Sequence, residues 1–293
     1  MSTAVQDLKA FFGSAGPVAL VEIAGAKGST PREKGAWMLV ARDAIHGTIG
    51  GGQLEFMAID KARQMLGPDA GTLPGATDAS ATLDVPLGPE IGQCCGGRVE
   101  VLIRPVDEAL ASRLVAEAER QEESLPHLYI FGGGHVGKAL ASAVALLPVR
   151  AIVVETRAGE LQGMPAAVET RLSPVPESVV RDAPAGSAFA VLTHDHALDF
   201  LIVAEALKRT DSAYVGMIGS RTKKATFRSW FLKTAGGSEE AYARLVSPIG
   251  GEAVKDKRPS VIAALAAAEM MTALAMFGAP GGTAMQSTGA SAT

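Results

Sequence analysis

Residues 128–157, LYIFGGGHVGKALASAVALLPVRAIVVETR, place a strand, a glycine turn, a helix and a second strand within about thirty residues, the length of one mononucleotide-binding unit. Gly132, Gly134 and Gly137 stand at G-x-G-x-x-G spacing directly after the apolar run LYIF. An acid, Glu155, ends the next apolar run, about 18 residues beyond Gly137. The three glycines differ in what they permit. Gly132 makes the tight turn, Gly134 lets backbone approach a phosphate, and Gly137 lets helix pack on strand. The helix that opens at His135 offers free N–H groups and the positive end of its dipole to an anion. Glu155 suits the hydroxyl pair of a ribose, as in NAD, whereas Arg157 suits an extra phosphate, as in NADP. A Rossmann-like scaffold that binds no dinucleotide satisfies the same pattern.

The alternation continues downstream. Apolar runs at 151–155, 167–172, 188–193 and 213–218 alternate with helical segments such as LDFLIVAEALKR and TKKATFRSWFLK, which predicts a doubly wound parallel sheet over 127–277. Ligands of such sheets gather beyond the carboxyl ends of the strands. His194, Asp195, His196 and Asp199 follow one strand, and Ser220 and Arg221 follow another. The HDHALD cluster has ligand-type side chains but neither an H-E-x-x-H helix pair nor a second Cys/His cluster at zinc spacing. His194 reads as lining a ligand pocket, with Asp199 in the first turn of the next helix complementing its dipole. Ser220 and Arg221 offer a hydroxyl and a guanidinium to a phosphate; the alternative is a plain strand-to-helix turn with a solvated arginine. Lys255, Lys257 and Arg258 read as an exposed charged loop.

Upstream, residues 1–110 read as a mixed α+β domain and 111–126 as a linking polar helix. The strands are VALVEIAGA, AWMLVA, ATLDVPLG and RVEVLIRPV. Between the second and third of these, Gly50, Gly51 and Gly52 open an amphipathic helix beginning with Gln53, whose buried face is expected to carry Leu54, Met57, Ala58, Ala62 and Met65. A glycine-rich entry to a helix can form a second anion nest, or serve as a tight connection only. Residues 67–76 read as a Pro/Gly-rich excursion, and the tail 278–293 has the composition of a flexible segment.

The two cysteines are adjacent, Cys94 and Cys95, in GPEIGQCCGGRVEV. Consecutive Cα atoms lie about 3.8 Å apart, too close for an unstrained disulfide. Two thiols on a glycine-rich loop can contact a soft metal, carry sulfur as a persulfide, attack a substrate, or fill small buried gaps.

Composition bounds these readings. With 293 residues, 47% hydrophobic and 20% charged, the chain is an ordinary α/β protein of about two domains. A formal charge of −4 with no basic run argues against nucleic acid as partner. The segment 261–277 is Ala-rich and about 17 residues long, and Glu269 interrupts it, which favours a packed helix over a membrane span. The start, MSTAVQDLKAFF, lacks the basic region of a secretory signal, so the cytoplasm is the expected location.

Seven motifs in one order now carry a resemblance: GSTPR (28–32), GTIGGGQLE (47–55), GQCCGG (92–97), FGGGHVG (131–137), LTHDHALD (192–199), GMIGSR (216–221) and SPIG (247–250). Together they resemble the XdhC/CoxI family of molybdenum hydroxylase maturation factors, and within it the xanthine dehydrogenase accessory proteins. The resemblance spans residues 18–277. It implies a carrier and insertion chaperone that binds the molybdenum cofactor (molybdopterin). The carrier protects the cofactor while a cysteine desulfurase replaces a terminal oxo ligand by sulfur, then delivers it to apo xanthine dehydrogenase. On this reading Gly50 to Gly52 or the loop Gly132 to Gly137 takes the cofactor's phosphate, and Cys94 or Cys95 contacts molybdenum. Where the family often has aspartate, this chain has Glu155. A homodimer is the commonest assembly for such a chain.

The rival expectation is an NAD(P)-dependent oxidoreductase on the same Rossmann unit. None of Tyr129, Tyr214 and Tyr242 is followed four residues later by lysine, so His194 or His196 would have to serve as its acid. A third is a maturation enzyme that moves sulfur through Cys94.

Overall fold

The computed structural model describes residues 4–67, 80–88 and 96–278. They form two compact units, dividing between Glu123 and Ser124.

The first unit contains α1 (Ala4–Ser14), β1 (Val18–Lys27), β2 (Trp37–Ala41), β3 (Ile45–Gly47), α2 (Gly52–Met65), β4 (Ala81–Pro86), β5 (Arg98–Pro105) and α3 (Glu108–Glu123). The strands form one antiparallel sheet in the order β3-β2-β1-β5-β4. Both faces of its central strands are apolar, so period-2 alternation sorts their side chains into two cores. Ala19, Val21 and Ile23 of β1 and Met38 and Val40 of β2 pack with Leu54, Ala58, Ile59 and Ala62 of α2. Val18, Leu20, Leu39 and Ala41 face the other way, toward Leu8 of α1 and Leu110 of α3. The polar helix expected to link the domains is thus packed with α1 within this unit. On α2, Ile59 takes the place expected of Met57, which is exposed, and Met65 is only partly buried.

The second unit contains β6 (His127–Phe131), α4 (His135–Val144), β7 (Arg150–Glu155), a 3-10 turn (Ala158–Leu161), β8 (Glu169–Leu172), α5 (Pro176–Arg181), β9 (Ala188–Val191), α6 (His196–Lys208), β10 (Tyr214–Met217), α7 (Arg221–Lys233), α8 (Glu239–Ala243), β11 (Leu245–Val246) and α9 (Pro259–Gly278). All six strands are parallel, in the order β11-β10-β9-β6-β7-β8. This is the doubly wound sheet expected from the sequence. The order reverses between β6 and β9, which puts the switch-point crevice at the loops after Phe131 and Val191. Leu128, Ile130, Ala188 and Ala190 face the helices α4 and α9; Tyr129, Phe131, Phe189 and Val191 face α5, α6 and α7.

Among the described residues α9 is the one helix long and apolar enough, by length and composition, to cross a membrane. Ala263, Ala266, Ala267, Met270, Ala273 and Leu274 bury one side of it in the core shared with α4. Its lone acid, Glu269, accepts hydrogen bonds from the Tyr214 hydroxyl (2.7 Å) and the Gly250 N–H (2.9 Å). Burial and the Glu269 carboxylate push the Tyr214 phenol well above its usual range. A satisfied acid and a buried face identify α9 as a core helix.

Candidate functional site

The glycine loop of the second unit is built by contact distances. A Cβ on Gly137 would lie 1.9 Å from the Gly132 carbonyl oxygen, and one on Gly132 would lie 2.4 Å from that of Leu192. Only glycine allows helix, strand and switch-point loop to close this tightly. Gly134 caps α4 without a side-chain hydrogen bond, and a Cβ there would meet nothing within 4 Å. His135, the next residue, is exposed.

Glu155 ends β7 beneath this loop with its side chain 3% exposed. Its Oε2 accepts from the Gly133 N–H (2.9 Å) and Arg157 Nη2 (3.4 Å). Its Oε1 accepts from the N–H groups of Thr156 (2.8 Å) and Arg157 (3.1 Å), the Thr156 hydroxyl (3.1 Å) and Arg157 Nε (3.4 Å). Burial pushes the carboxyl up, but the donors from Gly133, Arg157 and Thr156 outweigh it and hold the group at about 2. Arg157 also lies 3.7 Å from Glu160, whose other oxygen is 3.9 Å from Lys138. A Cβ on Gly133 would lie 2.8 Å from the Glu160 carbonyl oxygen, so the 3-10 turn rests on the glycine loop.

Beyond β9, Asp199 is fully buried and its Oδ1 accepts from the Thr193 N–H (2.9 Å) and hydroxyl (2.7 Å). Its Oδ2 accepts from Lys223, which also donates to the Ile218 carbonyl (3.0 Å). Asp199 is therefore one half of a buried ion pair tying α6 to α7, a stronger role than complementing a helix dipole. Breaking such a pair costs about 3–5 kcal/mol. Lys223 escaped sequence reading because its partner lies far off in the chain. His194 and His196 are exposed. The N-cap of α6 is Asp195, which accepts from the Ala197 N–H at 2.7 Å. Among the described residues no three His, Cys, Asp or Glu side chains gather as a metal site. Ser220 caps α7, accepting from the Lys223 N–H (3.2 Å), and the exposed Arg221 pairs with Glu252 at 2.5 Å. These contacts fit the strand-to-helix turn. Arg258, in the charged loop before α9, pairs with Asp256.

In the first unit, residues of three motifs meet at one end of the sheet. Gly50, Gly51 and Gly52 follow one another with φ of 121, 76 and 68°. Glu55, in the first turn of α2, reaches back to them. Its Oε2 accepts from the Thr48 hydroxyl (2.5 Å) and the N–H groups of Ile49 and Gly51 (both 3.1 Å). Three donors of the loop thus converge on one point, and the chain's own carboxylate occupies it. A Cβ on Gly50 would meet Pro31 at 2.9 Å and Arg32 at 3.2 Å, which brings GSTPR against GTIGGG. Ser29 in turn bridges Gly96, and a Cβ on Gly97 would lie 2.2 Å from the Ser29 carbonyl oxygen. Leu87 fixes the same two glycines, accepting from the Gly96 N–H (2.9 Å) and donating to the Gly97 carbonyl (2.8 Å). Cys94 and Cys95 lie outside the described residues, immediately before this pinned pair.

A shallow cavity of about 320 Å³ lies elsewhere in this unit, lined by Arg104, Arg113, Arg120, Leu110, Leu114 and Glu117 among others. Arg104 is near the opposite end of β5 from Gly97, roughly 20 Å of extended strand away, and the cavity contains no motif residue.

Comparisons with known proteins agree with this division. Residues 13–73 match the XdhC and CoxI family, and residues 128–270 match the XdhC Rossmann domain. The uncharacterized protein YqeB of Escherichia coli (strain K12) is 28% identical over 280 residues, which are 92% of this chain and 46% of that protein. The chain thus spans about half the length of that relative. A solved structure described as a xanthine dehydrogenase (BH1974) from Bacillus halodurans has a TM-score of 0.75 at 18% identity, over 94% of this chain and 96% of that one; at that identity it shows the fold. With a match to the family in each unit, the chain belongs to the XdhC/CoxI family.

Proposed function

We propose that this chain is a cytoplasmic maturation factor that binds the molybdenum cofactor, shields it while a cysteine desulfurase sulfurates it, and hands it to apo xanthine dehydrogenase. The observation that carries this reading is the meeting of GSTPR, GTIGGGQLE and the glycines after Cys94 and Cys95 at one end of the first sheet. The residues suit the cofactor's chemistry. Thr48, Ile49 and Gly51 already aim three donors at one carboxylate oxygen, so an anionic group matches their arrangement. The two thiols of the third motif, Cys94 and Cys95, match a soft metal.

In this reading the loop 48–52, with the uncapped N–H groups of Gly52 and Gln53, holds the phosphate. Glu55 leaves the loop as the phosphate enters, and Cys94 or Cys95 faces the metal. When bound, the cofactor supplies the molybdenum centre whose oxo ligand is exchanged for sulfur. Capping by the chain's own carboxylate keeps the empty loop satisfied, which suits a protein that must both take up and release its cargo.

The test is anaerobic incubation with isolated molybdenum cofactor, followed by ultrafiltration and metal analysis. The expected result is about one molybdenum per chain, reduced by Cys94→Ser and Cys95→Ser together. No retained molybdenum overturns the proposal; retention and enzyme activation unchanged by the double substitution remove the role of the cysteines.

A further inference from the structure

The Rossmann unit has the sequence spacing of a dinucleotide site, yet the group that would read the ribose is spent on the protein itself. A carboxylate offers about four lone-pair positions. Glu155 accepts six hydrogen bonds, from Gly133, Thr156 and Arg157 only. Its side chain is 3% exposed, which leaves no oxygen for a diol to approach. A second observation is independent of hydrogen bonding: the turn Ala158–Leu161 lies over the loop, with the Glu160 carbonyl oxygen 2.8 Å from where a Gly133 Cβ would stand. That turn follows directly on the end of β7, the strand end beside which the ribose of a dinucleotide belongs, and rests on the glycine loop there. Arg157, the other candidate, is drawn in by Glu155 at 3.4 Å and by Glu160 at 3.7 Å.

From this geometry we infer that Glu155 is a positioning residue that locks the glycine loop to β7, and that the Rossmann unit takes no NAD or NADP. The obstacle is specific to the ribose half. At Gly134 the backbone is open, so a phosphate alone meets no obstruction there. Freeing an oxygen of Glu155 for a ribose would strand the Gly133 N–H beneath the turn and leave the Arg157 side chain without its inner partner. The longer glutamate matters here, because it reaches Gly133 and Thr156 at once.

The experiment titrates the intact chain with NAD, NADH and NADP by calorimetry, with molybdenum retention read on the same preparation. The expected result is no saturable nucleotide binding up to about 1 mM. Micromolar binding of any of the three overturns the inference, whichever residue it depends on. Local hydrogen exchange supplies the positioning readout: in Glu155→Gln the Gly133 amide exchanges at least ~10-fold faster than in the parent while the amides of β9 keep their protection. Unchanged exchange at Gly133 removes the positioning role. Should Glu155→Gln fail to fold, the titration of the parent chain still decides. The two readings fail separately: nucleotide binding with molybdenum retained sinks this inference and leaves the carrier proposal, whereas neither ligand binding does the reverse.

Discussion

Each unit opens a helix with a glycine loop, and each loop is closed by a glutamate of the chain, but the two closures differ in kind. Glu155 is buried, uses both oxygens and holds a loop on which a turn rests. Glu55 is half-buried and engages its loop through Oε2 only. The same three-part vocabulary of glycines, N–H groups and a carboxylate makes a buried, fully engaged closure in one unit and a half-buried, single-oxygen one in the other. Burial and the number of donors decide which, rather than the glycine pattern.

The comparison is sharpest at the glycines. Gly137→Ala forces a Cβ to 1.9 Å from the Gly132 carbonyl oxygen, a backbone clash that no side-chain rotation relieves. We predict a loss above about 4 kcal/mol, seen as disappearance of the second unit's calorimetric transition. A transition within a few degrees of the parent's would show that the lock is loose.

Next in size is Glu155→Gln. Holding the carboxyl at about 2 rather than 4.5 corresponds to roughly 3 kcal/mol in favour of the folded state at neutral pH. The sign follows from the depressed value: this stabilisation is complete above about pH 4.5 and is lost as pH falls through the interval down to about 2. Acid unfolding followed by circular dichroism should therefore show a steep limb in that interval for the parent and a shallower one for the variant. Equal limbs would mean that the carboxylate is solvated in solution.

Smaller effects are expected in the first unit. Glu55→Ala removes one partner of three donors at a helix start, a loss of about 1 kcal/mol by chemical denaturation. Under the carrier proposal the same change raises molybdenum retained at limiting cofactor, because the competing carboxylate is gone. Lower retention would make Glu55 a support of the cradle rather than its occupant. Comparable in size is Gly51→Ala: nothing lies within 4 Å of its Cβ, but φ 76° with ψ −172° is a conformation essentially reserved to glycine, so a loss of about 1–3 kcal/mol by chemical denaturation is expected.

How much of this could be read in advance depended on range. The parallel sheet was legible because Leu128 to Arg157 holds a complete strand–turn–helix–strand unit with its own punctuation. β3 and β11, three and two residues long, carry no period to detect. Glu155 was found at the right distance from the glycines, but its role was not, since that depends on the turn after β7 folding back on Gly133. Asp199 suffered the same fate, because Lys223 enters from another helix. Glu55 was readable in principle: an acid four residues beyond Gly51, at the start of a helix, has the loop's N–H groups as its nearest donors.

The pinning of Gly96 and Gly97 has a further consequence, one of effective concentration. Leu87 and Ser29 hold these glycines in place, and covalent geometry does the rest. Cys95 and Cys94 precede Gly96 by one and two residues, so the covalent tether between them and the pinned pair is as short as a chain allows. Under the carrier proposal, a cargo held by the loop 48–52 would meet a group on such a tether as an intramolecular event.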